Sequence, residues 1–428
     1  MAEFAATVYQ NEFLPDGGTD VNAIVTVTCS GAGTAGAAGA VGSGAVGEII
    51  IVDTSGSMGH ETMESAKEGA QAALAEILDG TRFAIIAGTE TATLAFPPVQ
   101  AGPALAVMDA STREQAAGAI AGFRAAGGTA IGSWLDLAGT VFASVPEVTQ
   151  RHAILLTDGE NGEQPAVLDA AITRATGYFQ CDCRGAGTDW KVEELRRVAT
   201  ALLGSVDIIG SPDEMREQFR AMMQTAMARG VADAQLRVWS PQGAQVLFVR
   251  QVAPTVEDLT DRRVEVNALT GGYPTGAWGD ESRDYHVAVR LPAKAVGQEQ
   301  LAARVQVALG DDVAAQGLVK ATWSNDSELT AKIDKQVAHY TGQTELASMI
   351  QEGLAAKAAG DDATATTKLG RAVQLAAETG NEEATTRLKK VVDVDDEKEG
   401  TVRLKKAVDK ADEMALDTAS TKTTRIKK

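Results

Sequence analysis

An aspartate and two serines at alternate positions, Asp53, Ser55 and Ser57, follow the run Ile49-Ile50-Ile51-Val52 in the stretch IIIVDTSGSMG. Four chemistries use such residues. A hydrolase elbow needs Gly-x-Ser-x-Gly, but Ser55 stands where the first glycine would be, and none of the four histidines (His60, His152, His286, His339) is placed as a convincing base. A phosphate loop needs a lysine behind its glycines, and the first lysine is Lys67. A phosphotransferase with Asp53 as nucleophile would usually carry a second acid two residues on, where this chain has Ser55. The fourth chemistry is a hard divalent cation, which takes oxygen ligands and needs few carboxylates.

Alternation along an extended stretch allows all three side chains to point to one side. Two further oxygen donors fall where an open α/β sheet gathers its ligands, at strand ends. Thr129 lies in GGTAIG (127–132), a glycine-permitted turn before a helix, and Asp158 in LLTDGEN (155–161), at the end of an apolar run. Hydroxyls and carboxylates without thiol or imidazole suit Mg²⁺ or Mn²⁺ over Zn²⁺, with Ca²⁺ also compatible.

Asp-x-Ser-Gly-Ser, then Gly-Gly-Thr, then Thr-Asp-Gly, in that order, resembles the metal-ion-dependent adhesion site of von Willebrand factor type A domains over residues 48–229. The resemblance implies direct ligation by Ser55, Ser57 and Thr129, with Asp53 and Asp158 acting largely through water. It also implies an open coordination position for an Asp or Glu of a partner protein. A type A domain set into a β-sandwich is similar to the arrangement in integrin β-subunits. The family's bacterial cytoplasmic members are often tied to stress or signalling systems.

The elements that must position these residues are legible as periods. From 48 to 229, apolar strands such as EIIIVD, TRFAIIAG and RHAILLTD alternate with helical segments. In the first helix, Met63, Ala66, Ala70, Ala73, Leu74 and Ile77 share one face at 3.6-residue spacing. Strand–helix alternation predicts a doubly wound, mostly parallel sheet. Residues 1–29 hold two strand-like runs too few to stand alone. The pattern from 230 to 327 returns to β, so we expect the two stretches to form one all-β sandwich into which the α/β domain is inserted. Residues 30–47, almost all Gly, Ala and Ser, read as a linker or hairpin tip. Residues 328–418 read as helical, with Gly-Asp and Gly-Asn pairs at the breaks. A short repeat, TRLKKVVD (386–393) and VRLKKAVD (402–409), is too brief for a solenoid. The last ten residues, 419–428, read as a disordered tail whose Thr421, Thr423 and Thr424 could accept phosphate.

Charge and composition narrow the class. Acidic residues outnumber basic ones by 58 to 39, a net charge of −19, which argues against nucleic-acid and anionic-membrane binding. No stretch reaches the roughly 20 apolar residues of a spanning helix, and no secretory leader is visible at the start. Three cysteines do not make a disulfide framework, and a cytoplasmic address is expected. Cys181 and Cys183 alternate with Phe179 as a core strand does. Glu61 reads as a first-turn helix acid, and Glu160 and Asn161 as solvated loop residues or a rim to the site. Together these features predict no enzyme but a Mg²⁺-dependent module that binds an acidic residue of a partner. The alternatives are a metal-assisted phosphatase or phosphotransferase using Asp53, and a structural protein assembling through copies of itself.

Overall fold

The computed structural model describes residues 2–35, 45–98 and 104–426. The chain divides into two compact units, one of residues 1–2, 31–233 and 276–279, the other of 3–30, 234–275 and 280–428.

The first unit carries a seven-stranded sheet. Its central strand, Ala45–Asp53, runs parallel to Arg82–Gly88 on one side and to Val148–Thr157 on the other. Gln180–Ala186 and Val206–Ile209 extend the parallel order beyond Val148–Thr157. Ala92–Phe96 and Ala106–Val107 pair antiparallel with Arg82–Gly88. Ile49, Ile50, Ile51 and Val52 are all fully buried, as expected of a parallel strand covered on both faces. One face holds Ile50, Val52, Ile154 and Leu156 against the helices Glu61–Glu76 and Pro212–Met227; Met63, Ala66, Ala70, Ala73, Leu74 and Ile77 all contribute to this core. The central strand begins at Ala45, earlier than its apolar run suggests, because Ala45 and Val46 pair with Val148 and Gln150. Of the Gly/Ala-rich segment, residues 36–44 lie outside the described residues. The chain leaves the central strand toward one neighbour and returns on the other side, so the sheet order reverses at Asp53. Ligands of open α/β sheets gather at such a switch point.

The second unit contains two larger sheets. The five-stranded one runs Glu3–Gln10, Asp20–Ser30, Glu281–Arg290, Gln245–Ala253, Glu257–Asp258. The six-stranded one runs Val264–Asn267, Thr270–Pro274, Gln235–Trp239, Glu299–Leu309, Asp312–Trp323, Phe13–Leu14. The N-terminal strands thus pair with strands that lie beyond the α/β unit in sequence: Thr26 stands opposite Asp284, and Leu14 opposite Trp323. Helices Lys335–Ala358, Asp362–Thr379, Glu382–Val391 and Lys410–Ala419 follow, each capped by an Asp or Asn whose side chain accepts a backbone N–H: Asp334, Asp361, Asn381 and Asp409.

Two expectations fail in this region. Residues 328–418 are not helical throughout: Val392–Asp396 and Thr401–Leu404 form an antiparallel hairpin. The two RLKK copies accordingly take different structures, Arg387–Lys390 in a helix and Arg403–Leu404 in a strand. β-branched neighbours and the turn around Gly400, at φ 66°, favour the hairpin. The tail is ordered as far as residue 426. Thr423 N donates to Pro254 O at 2.9 Å, Val256 N to Thr421 O at 2.7 Å and Thr423 Oγ1 to Val252 O at 2.7 Å. His339 and Gln343 donate to the Thr424 carbonyl and hydroxyl, and Arg425 reaches the buried Asp284 at 3.1 Å. Sequence periodicity misses such order because the partners of Thr423 and Thr424 lie more than 80 residues away. Residues 427–428 lie outside the described residues.

Candidate metal centre

Asp53 ends the central strand, is fully buried and has both carboxylate oxygens engaged. Ser55 N donates to Oδ1 at 2.7 Å and Thr157 Oγ1 to Oδ2 at 2.6 Å. The chain does not stay extended through Ser57, as simple alternation would have it. Ser55 is extended, then Gly56–Met58 makes a 3₁₀ turn, and this turn brings Ser57 Oγ to 2.8 Å from Ser55 Oγ. Ser57 Oγ donates to Asp158 Oδ1 at 2.6 Å. Thr129 closes the group: a Cβ on Gly159 would lie 3.0 Å from Ser57 Oγ and 3.3 Å from Thr129 Oγ1. The structure therefore gathers Asp53, Ser55, Ser57, Thr129 and Asp158 at one strand end. Asp53, Ser55 and Asp158 form a buried floor, while Ser57 is exposed and Thr129 half-buried.

Backbone bonds pin the three loops together. Gly56 N donates to Gly127 O at 2.9 Å, Ala126 N to Thr54 O at 2.8 Å and Gly162 N to Thr129 O at 2.8 Å. Thr157 and Gly159 flank Asp158 in the Thr-Asp-Gly motif, and the structure gives each a role that the motif does not state: Thr157 orients Asp53, and Gly159 leaves the space between hydroxyls by its missing side chain. Glu61 is an exposed first-turn residue of its helix. Glu160 is exposed and pairs with Lys191 at 2.8 Å. Asn161 points back into the fold and accepts from Ile131 N at 2.9 Å.

Burial dominates the electrostatics of both acids. Burial raises the Asp53 carboxyl above its ordinary value, although the bonds from Ser55 and Thr157 oppose this. Burial, then the charges of Asp53 and Asp189, push Asp158 up to about 6 against the bond from Ser57. Two neighbouring carboxylates resisting ionisation, set among three hydroxyls, match the donor set of a hard cation. Among the described residues no group of three or more His, Cys, Asp and Glu side chains could hold a metal. A thiolate or imidazole cage is therefore not the chemistry on offer here; the donors are two carboxylates and three hydroxyls.

A second buried polar cluster spans the same sheet, five residues back along the central strand. His152 Nδ1 lies 2.7 Å from Glu48 Oε2, and its Nε2 lies 2.9 Å from Asp182 Oδ2. Ser205 donates to Asp182 through both its backbone N and its hydroxyl, each at 2.6 Å. Burial disfavours the imidazolium, but the Glu48 charge and the bonds to both acids outweigh it and raise His152 to about 9. Asp182 is held well below the usual carboxylate range: burial opposes its charge, and His152 more than compensates. His152, no convincing base for the serines, thus holds an ionic clamp between two acids. Cys181 and Cys183 are fully buried core residues, and all three cysteines are unpaired.

Comparison with known proteins adds family information. Residues 49–160 match a family described as von Willebrand factor type A domain, and residues 374–420 match a von Willebrand factor type A C-terminal domain. A solved structure described as von Willebrand factor type A from Catenulispora acidiphila is 45% identical, covering 99% of this chain and 97% of its own, with a TM-score of 0.92. The ArnB paralog VWA2 from Sulfolobus acidocaldarius shares the fold at 14% identity, with 98% of each chain covered and a TM-score of 0.60. Uncharacterized protein sll0103 of Synechocystis is 29% identical over 216 residues. That match covers 49% of this chain and about half, 49%, of the curated relative. Among the described residues no helix is long and apolar enough to cross a membrane.

Proposed function

Because this chain belongs to the von Willebrand factor type A family, we propose that its strand-end oxygen cluster is a Mg²⁺-dependent adhesion site for an acidic residue of a partner protein. The observation that carries the reading is the convergence of five oxygen side chains from three loops on one cup, with two charge-starved carboxylates at its floor. Ser55, Ser57 and Thr129 offer hydroxyl oxygens, and Asp53 and Asp158 orient those hydroxyls and supply the negative charge. Asp53 is already bonded through both oxygens and shielded from solvent. That supports a role in organising the cup over one as a phosphoryl-accepting nucleophile, and favours a binding module over an enzyme. A bound Mg²⁺ would contribute a Lewis-acidic position able to accept a carboxylate from outside.

The interrupted two-sheet unit serves in this reading as a β-sandwich platform. Three buried, unpaired cysteines fit a reducing, cytoplasmic setting, consistent with a stress or signalling assembly.

The test is capture by the immobilised full chain, with Mg²⁺ and with EDTA, beside Thr129→Ala. Partners held in Mg²⁺ should be released by chelation, be absent from the Thr129→Ala column, and compete with a Glu-containing peptide. Capture unchanged by chelation or by the variant would overturn the reading. Light scattering with and without Mg²⁺ shows whether the acceptor acid comes from a second copy. Metal-dependent hydrolysis of a generic phosphate ester should be absent.

A further inference from the structure

The cup depends on two loops keeping one spacing, and the Thr129 loop is held from outside itself, before Thr129 by the Gly56 and Thr54 backbone and by Glu90, whose Oε2 accepts from Gly128 N at 2.7 Å. Gly127 and Gly128 precede Thr129, with Gly127 at φ 78°, so the backbone there is intrinsically permissive. The helix that follows, Ile131–Ala143, starts from Ala130, which has no side-chain acceptor for the first amides. Those amides ordinarily need a Ser, Thr, Asp or Asn at the cap.

The missing cap comes from the segment just beyond Asp158. Ile131 N donates to Asn161 Oδ1 at 2.9 Å, Gly132 N to Glu163 Oε2 at 2.7 Å and Ser133 N to Glu163 Oε1 at 3.2 Å. Gly162 N donates to Thr129 O at 2.8 Å. Gly132 is fitted to this approach, because a Cβ there would stand 2.6 Å from Glu163 Oε2. A carboxylate at a helix N-terminus also meets the positive end of the helix dipole. The tie is therefore both directional and electrostatic.

We infer that Glu163, assisted by Asn161, is the positioning residue that locks the Thr129 turn to the Asp158 loop and so sets the cation affinity of the cup. It acts through Thr129 and Asp158 and belongs to neither end of the family motif. Glu160 carries the same charge three residues earlier but faces Lys191, which makes it a built-in control for long-range electrostatics. The inference rests on the reading of the cup as a cation site.

The experiment titrates Mn²⁺ into the metal-free full chain by calorimetry for the wild type, Glu163→Ala, Glu163→Gln and Glu160→Ala. Amide hydrogen exchange is followed at Ile131, Gly132 and Ser133 in parallel. Supporting groups behind metal ligands are worth about 10–100-fold in affinity, so Glu163→Ala should weaken Mn²⁺ binding about tenfold or more. Glu163→Gln keeps one acceptor oxygen and should recover most of that loss; Glu160→Ala should stay close to wild type. Exchange at the three amides should accelerate in Glu163→Ala even without metal. Unchanged Mn²⁺ affinity in Glu163→Ala overturns the inference and leaves the site standing, as does an equal loss in Glu160→Ala. A wild-type chain that binds no Mn²⁺ strikes the reading of the site itself.

Discussion

Two buried polar clusters share neighbouring strands of one sheet, and they solve the same problem in opposite ways. Glu48, His152 and Asp182 bring their own cation: the imidazolium sits between two carboxylates, each within 3 Å of a ring nitrogen. Among the described residues, Asp53 and Asp158 have only hydroxyl and amide donors within bonding distance, and their carboxyls are raised. A charge cluster that supplies its own counter-charge, as the His152 cluster does with the imidazolium and with Arg184 and Arg229 acting on Asp182, belongs to the architecture. One left unbalanced at an exposed strand end is poised for something from outside. On the function proposed above, the difference separates a buried polar residue that holds the fold from one that binds.

That contrast breaks first at His152. His152→Ala leaves Glu48 and Asp182 buried without their shared partner, a loss of about 3–5 kcal/mol by analogy with other broken buried pairs. Urea unfolding should show it; a shift in midpoint no larger than that of a surface substitution would make the clamp ornamental.

The pH dependence sharpens the same side. The His152 pKa is about 9 in the folded chain against an ordinary 6.5. Its contribution is therefore complete below about 6.5 and fades as pH climbs through about 9, on the order of 3 kcal/mol. Urea midpoints at pH 6 and pH 9 should differ more in the wild type than in His152→Gln.

The smallest effect comes from the unbalanced cluster. Asp158→Asn removes a carboxylate that lacks a counter-charge, so in EDTA the variant should match the wild type or exceed it by up to about 1 kcal/mol. Added Mg²⁺ should raise the melting midpoint of the wild type and leave the variant unmoved. An Asp158→Asn chain that is destabilised in EDTA and still responds to Mg²⁺ would erase the distinction between the clusters.

Much of the cup was legible because its chemistry is local. Asp53, Ser55 and Ser57 lie within five residues, and strand ends point to Thr129 and Asp158. The 3₁₀ turn that brings Ser57 inward was not legible, since Ser-Gly-Ser reads equally well as extended. Glu163 and Asn161 escaped for another reason: they cap a helix that lies about 30 residues upstream. Glu48 could have been noticed as a charged residue directly before the apolar run Ile49–Val52, but its partner His152 is 104 residues away. The RLKK copies show the limit most directly. One short string becomes helix in one place and strand in the other, because the residues that flank it, β-branched ones and the Gly400 turn in the second case, differ.

The pairing of Thr26 with Asp284, separated by 258 residues, imposes an order of events at the ribosome. At about 5–20 residues per second, roughly 13–50 s pass between the emergence of these two strands. For that interval Asp20–Ser30 has Glu3–Gln10 on one side and an unsatisfied row of backbone donors and acceptors on the other. The α/β unit, complete at residue 233 but for the short stretch 276–279, can fold in the meantime. The price of threading one unit through another is a waiting edge strand, open to capture by a neighbouring nascent chain or a chaperone. Polysomes crowded on one message are where that exposure would matter most.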